Sequence, residues 1–244
     1  MRNNLSFLKV YKKKTTKSEV VTQLLYGDNF KKLSETKSWI KIKNDSDNYV
    51  GYIKFNKFPQ NCLNTHKIFS LSANLYTKPN IKYKIKKKLS FGSKIKVTKK
   101  EKIFFKFENL WIKKKDLKEI NFKTKDYFKY IRKFINVKYK WGGKHFTGID
   151  CSGLIQIFFN FNNKFCPRDS GNQIKYFKKK VNLKNIKKND LIFWTGHVAI
   201  AISNKKLIHA YGPFKKTIAM PINHTISRIK RTANLELTGI RRIY

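Results

Sequence analysis

The chain has 244 residues, of which 56 are Lys or Arg and 14 are Asp or Glu, a formal net charge of +42. A hydrophobic share of 41% and an aromatic share of 15%, with 20 Phe and 12 Tyr, exclude a disordered chain and leave room for one to three folded domains. No stretch reaches the roughly 18–20 apolar residues of a membrane span, and Met1 to Lys12 lacks a signal-type apolar region and cleavage site. A cytoplasmic protein with no transmembrane segment is therefore expected, with periplasmic or wall-associated placement as the alternative.

So basic a chain first raises nucleic-acid binding, because counterion release rewards cationic surfaces. The lysines, however, are spread along the whole chain among Asn, Ile and Phe. Runs such as Lys86-Lys87-Lys88, Lys113-Lys114-Lys115 and Lys178-Lys179-Lys180 read as solvated faces and loop tips. No obligatory nucleic-acid partner is expected, whereas a carboxylate-rich peptide suits such a surface. The three cysteines, Cys62, Cys151 and Cys166, are an odd number without an export signal, which points to free thiols. Cys62 and Cys166 read as small buried hydrophobes.

In chain order, short strand-like stretches come first. Val20–Tyr26, a Gly27-Asp28 turn, Phe30–Leu33, Trp39–Lys43, a polar turn over Asn44–Asn48 and Tyr49–Ile53 alternate with the period of a small all-β barrel over residues 17–57. A divergent second barrel is expected over residues 64–118, from Ala73–Tyr76, Leu89–Val97 and Phe105–Ile112 with Gly and Pro turns. From 122 to 244 the texture becomes mixed α and β. Tyr127, Tyr130, Ile131 and Phe134 recur at helical spacing and predict an amphipathic helix over Asp126–Asn136. A Trp141-Gly142-Gly143 loop follows, then an apolar helix from Cys151 that Asp150 or its neighbour would cap, and a short helix after Asp169-Ser170. Leu191–Trp194, His197–Ile202, Lys206–Tyr211 and Thr238–Tyr244 predict antiparallel strands, their connections being too short for crossover helices.

Acyl transfer needs a nucleophile, a base, a group that orients the base, and donors for the oxyanion. Cys151 sits at a helix start, where unpaired backbone N–H groups favour the thiolate. His197 and His209 flank a turn at Ser203-Asn204-Lys205, so adjacent strands can bring both rings to one face. An ionised sulfur near neutral pH is the expectation. A zinc site from the same three residues fits by ligand type, but closely spaced Cys or His pairs are absent, so neither metal nor organic cofactor is expected. His66, His145 and His224 lack such a setting.

Taken together, Tyr139-x-Trp141-Gly142-Gly143, Asp150-Cys151-Ser152-Gly153, Pro167-Arg168-Asp169-Ser170-x-x-Gln173, Asp190–Trp194, Gly196–Ile200 and Ile208-His209-Ala210 resemble the NlpC-type papain-like cysteine peptidases of the cell wall. The stretch Thr22 to Ile53 resembles bacterial SH3-like domains, and the second segment does so more weakly. This resemblance implies an α+β architecture, small SH3-like barrels followed by a papain-like domain with an antiparallel sheet. It also implies cleavage of the γ-D-glutamyl bond to meso-diaminopimelate in peptidoglycan stem peptides, suited to murein peptide recycling. Cys151 would be the nucleophile, His197 the base and later acid, His209 the orienting residue, and Tyr139 a neighbour of the oxyanion site. Asp150, Ser152 and Ser170 would line the substrate pocket, Asp150 holding the ammonium of an N-terminal L-alanine, with Glu19 and Tyr49 assisting from the first barrel.

Competing readings stay open at this stage. Asp150 could be a helix cap alone and the Trp-Gly-Gly segment a packed turn. The whole chain could be a non-catalytic wall- or nucleic-acid-binding protein on a peptidase scaffold, or an acyltransferase using the same thioester.

Overall fold

A computed structural model describes residues 1–244 and divides them into two compact units. The first is Met1–Lys123 with Lys144–Phe146 and Phe161–Asn163; the second is Thr124–Gly143, Thr147–Asn160 and Lys164–Tyr244. Sheets with antiparallel pairing dominate and three α-helices accompany them, the mixed class expected. No helix is long and apolar enough to cross a membrane.

The first unit opens with strands β1 (Phe7–Tyr11), β2 (Val20–Leu25), β3 (Phe30–Glu35), β4 (Trp39–Asn44) and β5 (Val50–Lys54), in the sheet order β2-β1-β5-β4-β3. Alternation explains β4: Ile40, Ile42 and Asn44 are buried while Trp39, Lys41 and Lys43 are half-buried. Ile40, Ile42 and Ile53 join Val10, Leu24 and Phe30 in one core. β1 lies upstream of residue 17, and its register of Phe7 to Leu25 makes it part of this sheet. Gly51 is dictated by crowding, since a Cβ there would stand 2.5 Å from Val10 Cγ1. At the Gly27-Asp28 turn, Asp28 Oδ2 accepts the Leu25 N–H at 2.8 Å, and Gly27 has φ +80°.

The rest of that unit holds β6 (His66–Ile68), β7 (Ser72–Tyr76), β8 (Lys84–Ser90), β9 (Lys94–Ile95), β10 (Lys99–Glu101), β11 (Phe104–Phe107), β12 (Leu110–Lys113) and β13 (Leu117–Glu119). They form a five-stranded sheet, β10-β11-β12-β7-β8, and a three-stranded one, β13-β6-β9, around Ile68, Leu75, Leu89, Phe107 and Ile112. Two expected single strands are broken. Leu89–Val97 turns at Gly92, φ +82°, and Phe105–Ile112 is a tight hairpin whose bend places Glu108 at φ +47°. The two-residue strand β14 (Lys144–His145) lies against β2, with the Lys144 N–H donating to Gln23 Oε1 at 2.8 Å.

The second unit contains the short strand β15 (Gly148–Ile149), helix α1 (Cys151–Phe161), helix α2 (Ser170–Tyr176), strands β16 (Lys179–Val181), β17 (Leu191–Trp194), β18 (His197–Ala201), β19 (Lys206–Tyr211) and β20 (Lys216–Pro221), helix α3 (Ile222–Ala233) and strand β21 (Leu237–Arg242). Six strands form an antiparallel sheet ordered β16-β21-β17-β18-β19-β20. β17 is buried along its whole length, as are Leu154, Ile155, Ile157, Phe158 and Phe159 of α1, which is therefore apolar around most of its circumference. Asp190 sits in the turn before β17, where Oδ2 accepts the Lys187 N–H at 2.8 Å and the carboxylate pairs with Arg242 of β21.

The amphipathic helix expected over Asp126–Asn136 is not an α-helix. Lys129, Ile131, Lys133 and Ile135 each donate to the carbonyl three residues back, giving successive tight turns with one 3-10 segment at Ile131–Phe134. Asp126 Oδ1 takes the Phe128 N–H, and Asn136 at φ +67° ends the run. Apolar spacing of three and four is compatible with either winding, so Ile131 and Phe134 are buried as expected although the helix type differs. β20 and α3 were not foreseen, yet Ile222, Ile226 and Ile229 carry the helical period that could have revealed α3.

Candidate active site

Cys151 is the first residue of α1, and Asp150 caps that helix as expected, with Oδ1 accepting the Gly153 N–H at 2.7 Å. The cap is itself held. Gly142 N–H donates to Asp150 Oδ2 at 2.8 Å, and Arg168 donates through both Nη atoms, one to each carboxylate oxygen. Ser152 Oγ accepts from Arg168 Nη1 at 2.8 Å and donates to Asp150 Oδ1 at 3.4 Å. Five donors therefore meet a carboxylate with about four lone-pair positions, so Asp150 is saturated by its own chain. Arg168, which the sequence offered only as a motif member, neutralises it.

The Trp-Gly-Gly loop follows from the same packing. Gly142 has φ +70°, and a Cβ on Gly143 would lie 2.4 Å from the Gly148 carbonyl oxygen. Trp141 is left 57% exposed. Gln173 of α2 braces the start of α1, donating through Nε2 to the carbonyls of Ser152 and Pro167 at 3.0 and 2.9 Å. Ser152 and Ser170 are both buried, Ser170 as the first residue of α2.

The histidines arrive from the sheet. β18 and β19 pair with Ile200 opposite Ile208, so His197 and His209 project to one face as diagonal neighbours. His197 Nε2 lies 2.9 Å from His209 Nδ1. His209 is fully buried, stacks on Tyr211 at 4.5 Å with planes 10° apart, and places Nε2 3.4 Å from Met220 Sδ. The Cys151 thiol lies against the backbone N–H of Val198, the residue after His197, and of Ser152. Tyr139 is half-buried, its N–H bound to the Lys215 carbonyl at 2.8 Å, and the charge of Cys151 acts on its phenol.

Electrostatically the site rests neutral, which differs from the expected thiolate. Burial pushes the Cys151 thiol up to about 12, and the neighbouring Asp150 carboxylate adds to the rise; the Val198 N–H, Arg168 and the Ser152 N–H only partly offset them. Burial lowers His197 to about 4, and lowers His209 well below the ordinary imidazole value, the charge of His197 adding to the effect. The helix start does act on the sulfur, but desolvation of the anion outweighs it. Tyr139 is likewise raised, by burial and then by Cys151.

Glu19 and Tyr49 belong to the first unit. Glu19 is exposed and pairs with Lys12 Nζ at 3.5 Å, and Tyr49 donates its N–H to Asp47 Oδ1 at 3.0 Å in the turn before β5. A cavity of about 930 Å³ is also in that unit, between Lys100, Lys102, Phe105, Lys114 and Leu117, and holds none of the candidate catalytic residues.

Residues 136–232 match the NlpC/P60 family model, and residues 10–56 match the model of the bacterial dipeptidyl-peptidase SH3 domain. Among curated relatives, the dipeptidyl-peptidase 6 of Lysinibacillus sphaericus is 35% identical over 77 residues, 32% of this chain and 28% of that protein. The "probable endopeptidase NlpC homolog" of Haemophilus influenzae is 33% identical over 81 residues, 32% of this chain and 43% of that protein. The chain thus spans less than half the length of either relative. Among solved structures, an NlpC/P60 family protein from Bacillus cereus superposes with a TM-score of 0.83 over 99% of this chain and 98% of that one, at 18% identity, a likeness of fold. Residues 136–232 are thus similar to the NlpC/P60 family, and residues 10–56, which precede them, to the bacterial dipeptidyl-peptidase SH3 domain.

Proposed function

We propose that this chain is a cysteine peptidase that hydrolyses the γ-D-glutamyl–meso-diaminopimelate bond of peptidoglycan stem peptides through a Cys151 thioester. The single observation that carries this reading is the convergence of the Cys151 thiol on the Val198 backbone beside His197, whose ring is held 2.9 Å from His209. The family match and the dipeptidyl-peptidase and endopeptidase relatives support peptide hydrolysis as the reaction class.

Because thiol and imidazole both rest neutral, the sulfur loses its proton to His197 as it attacks the γ-glutamyl carbonyl. The carbonyl π electrons move to oxygen, beside the Cys151 N–H, which has no intrahelical acceptor, and beside Tyr139. Collapse expels the diaminopimelate amine, which takes the proton from His197, and leaves the thioester. His197 then removes a proton from water, hydroxide adds to the thioester, and the thiol departs with that proton. Ser152 and Ser170 are assigned to the substrate pocket, and Asp150 fixes Ser152 and the start of α1 through Arg168.

Mass spectrometry of L-Ala-γ-D-Glu-meso-diaminopimelate incubated with wild-type protein and with Cys151→Ala tests the reading. Release of diaminopimelate by the wild type and none by the variant is expected. Equal release by both would overturn it.

A further inference from the structure

A thioether sulfur accepts hydrogen bonds and has no proton to give. That asymmetry matters where His209 Nε2 lies 3.4 Å from Met220 Sδ on β20, since an imidazole in contact with an acceptor gains only when its facing nitrogen carries hydrogen. We propose that Met220 is a positioning residue that sets the tautomers of the histidine pair by accepting the His209 Nε2 proton. This rests on reading His197 as the base.

The consequence propagates through one shared bond. With hydrogen on His209 Nε2, its Nδ1 is a lone pair and accepts across the 2.9 Å contact, so His197 must donate from Nε2. His197 Nδ1 is then unprotonated and is the basic nitrogen of the pair. The reverse arrangement would direct the His209 Nε2 lone pair at the sulfur lone pairs, and would put the hydrogen of neutral His197 on Nδ1, where it could take no proton from Cys151. Sequence pattern does not assign Met220 to the site. Register does: Leu207 pairs with Met220 and His209 with Ile218, which places Met220 diagonally across from His209 on the same face. Met220 is 6% exposed, and the ring it touches is fully buried between it and Tyr211, so water does not substitute for the sulfur.

Nitrogen-15 NMR of histidine-labelled, substrate-free protein tests this directly. The expected wild-type spectrum shows His209 protonated at Nε2 and His197 protonated at Nε2. Met220→Leu, close in volume but without an acceptor, is expected to populate both tautomers of each ring. In the same variant kcat for stem-peptide cleavage is expected to fall by roughly tenfold with KM unchanged, since orientation of the base is felt in the transition state. A wild-type His209 protonated at Nδ1, or tautomer populations unaltered in Met220→Leu, would overturn the proposal. If the variant does not fold, a wild-type His209 protonated at Nδ1 still overturns the proposal. The spectra are read without turnover, so failure of the peptidase reading, seen as cleavage retained in Cys151→Ala, is distinguishable from failure of this one.

Discussion

Arg168 grips Asp150 through both terminal nitrogens, and the two side chains are 1% and 7% exposed. Asp150 is at the same time the cap of the helix that begins with Cys151, so one ion pair ties the Pro167-Arg168-Asp169 segment to the residue preceding the thiol. An isolated carboxylate this deep would cost far more than a cap returns. The guanidinium is what makes a buried acid tolerable at this position.

Breaking the pair from one side should therefore be costly. Arg168→Met leaves an uncompensated carboxylate and is expected to lower unfolding free energy by about 3–5 kcal/mol, measured by urea titration. Adding Asp150→Asn to Arg168→Met removes the stranded charge and keeps a capping oxygen, so the double variant is expected to be more stable than Arg168→Met alone. If the two substitutions simply add, the buried pair is not the coupling element.

A second prediction concerns the resting sulfur. With burial and Asp150 pushing Cys151 up to about 12, thiolate absorbance near 240 nm should be the same in wild type and Cys151→Ala between about pH 5 and 8. A wild-type absorbance step in that interval, lost in the variant, would show that the helix start and His197 stabilise the anion more than burial opposes it.

The contrast between geometry and protonation marks how far residue order alone reaches. The histidine pair was legible because strand alternation and the short turn at 203–205 fix parity, and parity fixes which side chains share a face. The Asp150 cap and Cys151 at the helix start were legible because both are local. The charge states were not, because they depend on how much protein covers each group, a tertiary quantity. For the same reason the lysine-rich texture concealed exceptions. Lys67 is 1% exposed in the first unit, its Nζ donating to the Phe122 and Phe161 carbonyls at 2.6 and 2.5 Å, and burial lowers it to about 8. Arg168 escaped because its partner lies 18 positions away and its role is defined by what it neutralises. The stretch 126–136 misled because 3-10 and α windings share their apolar spacing over one or two turns.

Neutral, buried imidazoles also set a direction for acid stability. His197 titrates at 6.5 in its ordinary state and at about 4 when folded. Above 6.5 neither the folded nor the unfolded chain holds a proton there, and the contribution to stability is flat. As pH falls from 6.5 towards 4 the unfolded chain takes up a proton that the folded chain refuses, so stability drops with decreasing pH; His209, also lowered, acts in the same sense. Urea midpoints taken near pH 7 and near pH 4.5 for wild type and His197→Gln isolate this contribution, because the carboxylates are common to both. The wild type is expected to lose more stability than the variant over that interval, by roughly 2 kcal/mol. Equal losses would mean that His197 accepts a proton in the folded protein as readily as in the unfolded chain.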